Sequence, residues 1–308
     1  NEVTQFKDFE AMPVHCFESM HRAFLKVQDG CNQFCSYCAI PFARGRERSL
    51  NHEQVIQIAK YLCDKGHTEI VLTGIHTGRY DDGEYDLAKL MKALLENTPD
   101  SVYYRISSIE ITEVSDALIA LMKENPRMCH HLHIPVQSAC NETLKRMNRP
   151  YTIEQFKEKI NYIRSCIPNI SISTDVIAGF VQESDEEFET TYENLADLEL
   201  SFFHVFPYSK RNGTKASTLK GEINGNVTKA RVARLLELSN ACRERDMKRF
   251  NPVQVLIERK QDGYYTGYTS QYHSCKILSD TPLSGRITIE WDRIEDGTYY
   301  GKKDDVCD

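Results

Sequence analysis

The chain has 308 residues, 41% of them hydrophobic, and a formal net charge of −7. That is enough for about two domains of ~150 residues each with a large buried core, and no run approaches the roughly 18 to 20 apolar residues that span a bilayer. Eleven cysteines, an odd number irregularly spaced in a large Leu/Ile/Val-rich chain, exclude a small secreted disulfide framework and point to a reducing cytoplasm.

The polar, acidic start from Asn1 to Cys16 is no secretory signal, and with no initiator Met the chain is expected to lack residues upstream. From Arg22 short apolar runs alternate with amphipathic stretches. "RAFLKVQ" predicts a strand and "HEQVIQIAKYLCDKG" a helix ended by Gly66. "EIVLTG" and "YDLAKLMKALLENT" repeat the pair, as do "VYYRISS" and "VSDALIALMKEN". "HHLHIPV" is followed by a helical region to Cys166, "NISISTDVIAG" by the helix "ESDEEFETTYENLADLE", and "LSFFHVFPYS" is the last strand of the series. Six such units predict an α/β fold, a partial (β/α)6 parallel barrel. "VTKARVARLLELSNACRERDMKRF" predicts one long helix up to Asn251-Pro252. Beyond it, short β-branched and aromatic runs broken by Gly and Asp-Gly predict a small C-terminal β-barrel. The expected organisation is a linker over 1–21, an α/β domain with its C-terminal helix over 22–250, and the β-barrel over 251–308.

Charge is uneven along this plan. Residues 1–204 carry 20 Lys+Arg against 31 Asp+Glu, residues 205–250 carry 11 against 4, and residues 251–308 carry 7 against 10. A basic segment in an acidic chain suits a polyanion contact, and it equally suits a solvated helix face.

"CNQFCSYC" places three thiols, Cys31, Cys35 and Cys38, within eight residues, on the loop after the first predicted strand. Three readings are open. Structural zinc wants four ligands, so Cys16, His15 or His52 would have to complete it. The thiols could be unligated core cysteines. Alternatively, three thiolates hold an iron–sulfur cluster with one iron left open to bind a substrate. Active sites of such folds sit at the C-terminal strand ends, where this loop falls.

"CNQFCSYC" resembles the signature of radical S-adenosylmethionine (SAM) enzymes, with the aromatic Tyr37 just before the last cysteine. The resemblance implies one 4Fe-4S cluster on Cys31, Cys35 and Cys38, SAM on its open iron, and a low-potential electron donor. "HIPVQSACNETLKRMNRPYT", "STDVIAGF" and "HVFPYSKRNGT" look like the methylthiotransferases. "VLTGIHTGRY" and "RISSIE" look most like the branch that modifies N6-threonylcarbamoyladenosine beside the tRNA anticodon. A branch acting on a ribosomal protein is the alternative within the enzyme class, and a zinc-stabilised RNA-binding module the alternative outside it. The tail from about Pro252 resembles the TRAM domain, a small β-barrel associated with RNA. Members of this family carry a second cluster in an N-terminal domain that the chain is expected to lack, so SAM cleavage without sulfur insertion is the expected activity. A monomer is expected.

Carried over position by position, the resemblance implies SAM-pocket roles for Thr73, Gly74, Glu110, Gln137, Ser138 and Asp175. It makes Arg44, Arg46, Arg48, Tyr208 and Arg211 candidates for substrate contact. The charge pattern adds Arg231 and Arg234 as phosphate contacts. The chain departs from the family at "GFVQES", where a Gly-Phe-Pro-Gly-Glu-Thr turn is usual, and "YSKRNGTKA" lacks prolines common after "FPYS".

Overall fold

A computed structural model of the chain describes residues 21–303. The expected linker over 1–21 falls almost wholly outside them, as do His15, Cys16 and Cys307. In chain order the α/β part runs β1 (Arg22–Lys26), β2 (Gln28–Asp29), α1 (Ile40–Arg44), β3 (Arg48–Ser49), α2 (His52–Asp64), β4 (Glu69–Thr73), α3 (Leu87–Asn97), β5 (Tyr103–Ile106), α4 (Asp116–Glu124), β6 (His131–His133), α5 (Asn141–Arg146), α6 (Ile153–Cys166), β7 (Ser171–Ala178), α7 (Asp185–Asp197), β8 (Phe202–Pro207) and α8 (Gly225–Met247). Strands β1, β4 and β5 pair in parallel, and so do β6, β7 and β8. Isolated parallel bridges, Tyr104 to Met128 and Ser108 to His133, stitch the two triplets together. The six strands thus follow chain order around a partial barrel, as their alternation with helices requires.

Helix starts follow local chemistry. Asn51, Asp86 and Ser115 accept from the backbone N–H of Glu53, Lys89 and Leu118. Thr152 and Ser184 each form a reciprocal capping box, with Gln155 and Glu187. Along the strands one set of residues faces the helices and is apolar: Ala23, Leu25, Ile70, Leu72, Tyr104, Ile106, Leu132, Ile134, Ile172, Val176 and Phe203 are buried in the main core. The alternate set, including Arg22, Phe24, Val71, Arg105, His131, His133, Ser173 and His204, faces a cavity of about 260 Å³ on the concave side.

The C-terminal part is a six-stranded sheet of β9 (Val253–Gln261), β10 (Tyr264–Thr269), β11 (Ser274–Leu278), β12 (Arg286–Ile289), β13 (Trp291–Glu295) and β14 (Thr298–Lys302), in the order β12-β9-β10-β11-β14-β13. Its two edge strands are consecutive in the chain and joined only by Glu290, so the sheet has to curl. Met247 of α8 shares its core with Val253, Val255, Ile257, Tyr265, Cys275, Ile277, Ile289 and Tyr299. Tyr299 donates to the Met247 carbonyl at 2.6 Å and Trp291 to that of Phe250 at 2.5 Å, so these aromatics belong to packing.

This sheet docks where the parallel strands begin. The fully buried Glu69 carboxylate accepts from Arg22 Nε (2.9 Å), Arg105 Nε (3.0 Å) and, from β12, Arg286 Nη2 (2.8 Å). Burial raises the Glu69 pKa, and the three guanidiniums more than reverse it, holding the acid well below the usual range. Arg105 also donates to the Ser270 and Thr269 carbonyls. Tyr272, at φ +70°, lays its ring 5.1 Å from His131 and closes the cavity floor. The cysteine loop and the C-terminal sheet therefore lie at opposite ends of the parallel strands. Among the described residues no helix is long and apolar enough to cross a membrane.

Candidate active site

The cysteine loop hangs from the antiparallel ribbon β2–β3, in which Gln28 pairs with Ser49 and Asp29 with Arg48. Asp29 accepts from Gly30 N, Lys26 Nζ and Arg48 Nη2, each at 2.9 Å. Gly30 is required at φ +74°: a Cβ there would lie 2.0 Å from the Arg46 carbonyl oxygen. The loop is then tied to distant segments. Ser36 N donates to Met147 O (2.9 Å), Asn148 Nδ2 to Phe34 O (2.8 Å), and Ala216 N to Ser36 O (2.7 Å).

All three thiols are partly open, and cations flank two of them. Arg149, almost wholly buried, donates to Cys35 Sγ at 3.4 Å, to Tyr151 Oη at 2.8 Å, and to Glu110 in an ion pair. His76 Nδ1 lies 3.5 Å from Cys31 Sγ, and its Nε2 lies 2.8 Å from Glu113 Oε1. Burial disfavours the His76 charge, yet the Cys31 thiol and the Glu113 and Glu47 carboxylates push its pKa up to about 12. Burial raises the Cys38 thiol, and the neighbouring Cys35 and Cys31 sulfurs add to the effect. Three soft donors crowded on one loop, with N–H groups and cations facing the sulfurs, fit an iron–sulfur cluster. His52 does not complete a zinc site here: its Nδ1 lies 2.6 Å from Asp82 Oδ2 and its ring stacks on Tyr85 at 3.9 Å.

Other candidates divide by where they point. Tyr37 packs edge-on against Phe180 (6.4 Å, 83°) and anchors the loop. Thr73 ends β4 and Gly74 follows it; a Cβ on Gly74 would lie 2.9 Å from Gln28 Cβ, and Gln28 Oε1 in turn accepts from His76 N at 2.7 Å. Gln137 holds φ +66°, its backbone bonded to both Asp175 and Ile177 beyond the end of β6. Asp175 faces the cavity side, 3.2 Å from His133 Nε2. Ser138 has to be corrected: it is fully buried and its hydroxyl lies 3.1 Å from Thr191 Oγ1 on α7, away from the cavity.

Arg231 is a second correction. It is 5% exposed, with Nη1 2.7 Å from Glu183 Oε2 and Nη2 2.6 Å from Asp185 Oδ1, so it cannot meet a phosphate. Its partner Glu183 accepts from Gly179 N at 2.8 Å, so Arg231 locks the turn that departs from the family pattern. Arg234 is half-exposed, held by both oxygens of Glu189. Arg48 is spent on Asp29 and the Arg44 carbonyl, whereas Arg44, Arg46 and Arg211 are exposed. The Tyr208 ring packs on Phe180 at 5.1 Å. Sequence reasoning missed Arg149 and His76, although "NRPY" and "GIHTG" carry them.

Residues 25–195 match the family model described as the Radical SAM superfamily. The chain is 38% identical over 296 residues to the threonylcarbamoyladenosine tRNA methylthiotransferase MtaB of Bacillus subtilis, covering 93% of this chain and 66% of that one. It is 34% identical over 303 residues to the protein of the same name from Chlamydia pneumoniae, covering 97% and 71%. The chain belongs to the radical SAM superfamily, within its tRNA methylthiotransferases. It spans about two thirds of the length of those two relatives. Among solved structures, coproporphyrinogen III oxidase from Escherichia coli, a radical SAM enzyme, shares the fold with a TM-score of 0.54 at 15% identity, over 75% of this chain and 54% of that one. Radical SAM membership implies a 4Fe-4S cluster and SAM, and the three-cysteine loop has the donors for the first.

Proposed function

We propose that this chain carries the radical-generating core of a tRNA methylthiotransferase that acts on C2 of N6-threonylcarbamoyladenosine beside the anticodon. The observation that carries the proposal is the Cys31, Cys35 and Cys38 loop, set at the C-terminal strand ends above a cavity lined by both histidine and apolar side chains. A 4Fe-4S cluster on these thiols, with SAM on its open iron, would supply a 5′-deoxyadenosyl radical. The chain's own residues hold and shape that site. Arg149 and His76 offset the charge of the thiolates. Gly74 leaves the end of β4 bare, so backbone groups at Thr73-Gly74 can receive the methionine portion of SAM. Glu110 and Gln137 would supply polar groups around the mouth.

The substrate reading rests on the relatives' names and on charge at the rim. In the basic stretch, Lys210, Arg231, Arg234, Lys248 and Arg249 are paired with Glu222, Glu183, Glu189, Glu244 and Asp246. Among the described residues, Arg211, Lys215, Lys220 and Lys229 form no ion pair, and the segment 209–224 packs on the cysteine loop through Ala216. Together with Arg44 and Arg46 they would meet tRNA phosphates. The curled C-terminal sheet is read as TRAM-like, an RNA-shaping element at the far end. Among the described residues no second trio of cysteines comes together, so the sulfur would reach the site from outside them. A low-potential donor would reduce the cluster, and the protein would act as a monomer.

Anaerobic reconstitution with iron and sulfide, followed by assays for 5′-deoxyadenosine and for the 2-methylthio nucleoside in digested tRNA, tests the proposal. A brown iron-and-sulfide protein that releases 5′-deoxyadenosine supports it. One equivalent of colourless zinc and no SAM cleavage would refute it.

A further inference from the structure

Below the cysteine loop, three neighbouring strands each send one metal-binding side chain to the concave face: His133 from β6, Asp175 from β7 and His204 from β8. Strand register brings them together, since His133 pairs with Ser173 and Asp175 with His204. One ligand atom from each lies within 4.8 Å of the other two. His133 Nε2 is 3.2 Å from Asp175 Oδ1, and the His133 and His204 ring centroids are 5.8 Å apart. Ligand atoms around a tetrahedral zinc, at bonds of about 2.0–2.1 Å, sit about 3.4 Å from one another, so only a small closure is needed.

The surroundings are those of a ligand set. His133 Nδ1 lies 2.9 Å from Ser173 Oγ, which also lies 2.9 Å from His131 Nε2. A metal-bound imidazole needs such an outer partner to fix its ring and tautomer. In the tautomer that donates Nδ1–H to Ser173, the Nε2 lone pair of His133 faces the Asp175 carboxylate, and a cation between them would join the two. Among the described residues His204 has no hydrogen bond, so its nitrogens are available. His133 and His204 also line the roughly 260 Å³ cavity, which leaves a coordination position for a ligand.

We propose that His133, Asp175 and His204 form a three-ligand site for a divalent cation of the zinc class, open toward the cavity and suited to an anionic oxygen ligand. Two imidazoles and one carboxylate are the donors of an open site rather than of a closed structural one. If the methylthiotransferase reading holds, the ligand has an evident source in the carboxylate of the threonylcarbamoyl group. The other cavity cations are committed: Arg22 to Glu69 and Glu258, and Arg105 to Glu69 and two carbonyls. The metal would be the positive charge available to that carboxylate.

The test uses the full chain carrying Cys31→Ala, Cys35→Ala and Cys38→Ala, stripped of metal and titrated anaerobically with Co²⁺ and then Zn²⁺. One equivalent of cobalt is expected, with d–d bands, no sulfur-to-cobalt charge-transfer band, and displacement by zinc. His204→Ala should remove stoichiometric uptake, and Ser173→Ala should weaken it by about 10–100-fold. The same question is put to the cluster-loaded wild-type chain by elemental analysis after zinc equilibration and desalting: one zinc per chain, and none in His204→Ala. This second measurement stands if the triple variant fails to fold. No stoichiometric uptake, or uptake that His204→Ala leaves unchanged, means a metal-free hydrogen-bonded network and overturns the proposal. Neither readout depends on methylthiotransferase activity, which the 5′-deoxyadenosine and methylthio assays judge separately.

Discussion

Replacing Arg149 by Met should uncouple the cysteine loop from the parallel sheet. The Arg149 guanidinium is buried between Cys35 Sγ, Glu110, Tyr151 Oη and the Pro135 carbonyl, so it joins the loop after β1 to the segments around β5, β6 and α5. Met keeps much of the side-chain volume and removes all the donors. Removing one member of a buried ion pair costs about 3–5 kcal/mol, because the other charge is left without a partner. The Glu110 side chain is 15% exposed and can recruit water, which places the cost near the lower end, about 3 kcal/mol. At roughly 2–4 °C per kcal/mol for a unit of this size, the melting temperature should fall by about 6–12 °C. Adding Glu110→Gln removes the stranded carboxylate and should recover about half of the loss. Thermal melts of the wild type, both single variants and the double variant give the coupling energy, and iron per chain after reconstitution reports the loop. A single variant melting within about 2 °C of wild type, or a double variant no more stable than Arg149→Met, would refute the linkage.

Glu69→Gln should lower stability by about 3–5 kcal/mol at pH 7, because three guanidiniums lose one shared carboxylate. Since folding lowers the Glu69 pKa, its contribution is complete above the ordinary glutamate value and is lost progressively as pH falls from there toward the lowered one; urea melts should therefore show the variant's full deficit from pH 7 down to about pH 5 and a narrowing deficit below it. Arg44→Glu with Arg46→Glu should weaken tRNA binding and reduce the log–log salt slope by about 1.4–1.8, at roughly 0.7–0.9 per phosphate contact. An unchanged slope in binding titrations would remove the loop rim from the RNA surface. Gly74→Ala should cut SAM cleavage by about 10²-fold without loss of fold, because the new methyl displaces Gln28 beside the cluster loop. The readout is 5′-deoxyadenosine release alongside an unchanged circular dichroism spectrum.

The fold was legible because each β/α unit is local: alternation, caps and terminating Gly lie within about 30 residues of one another. The cysteine ligands were legible for the same reason, three thiols in eight residues. What the sequence hid are pairings across distance. Arg231 reads as part of a basic run, but its partners Glu183 and Asp185 stand almost fifty residues earlier, and a charge count cannot see that they neutralise it. Arg149 meets Cys35 across 114 residues, and His76 meets Cys31 across 45. Ser138 departs through geometry instead: Gln137 turns the chain at φ +66° beyond the end of β6, which carries the next side chain to the other side. Gln137 is tied to β7 by its backbone, while the Ser138 hydroxyl faces α7.

Strand composition makes the same case for the cavity. Parallel strands covered on both faces usually read as continuous apolar runs. Here "HHLHIPV" and "SISTDVIAG" alternate histidine, serine and aspartate with leucine, isoleucine and valine, which only one covered face would explain. The curled C-terminal sheet closes the floor through Tyr272 and leaves the concave face above it uncovered. Polar side chains held at such a face must find partners or keep water. Those low in the cavity are drawn into such contacts, since Arg22 and Arg105 are locked to Glu69 and His131 Nε2 lies 2.9 Å from Ser173 Oγ. Higher up, nearer the cysteine loop, His133, Asp175 and His204 converge with less of their bonding capacity used. Unspent polarity is thus concentrated beneath the thiols, where a substrate entering from the strand ends would arrive, and the structural contacts are kept at the opposite end.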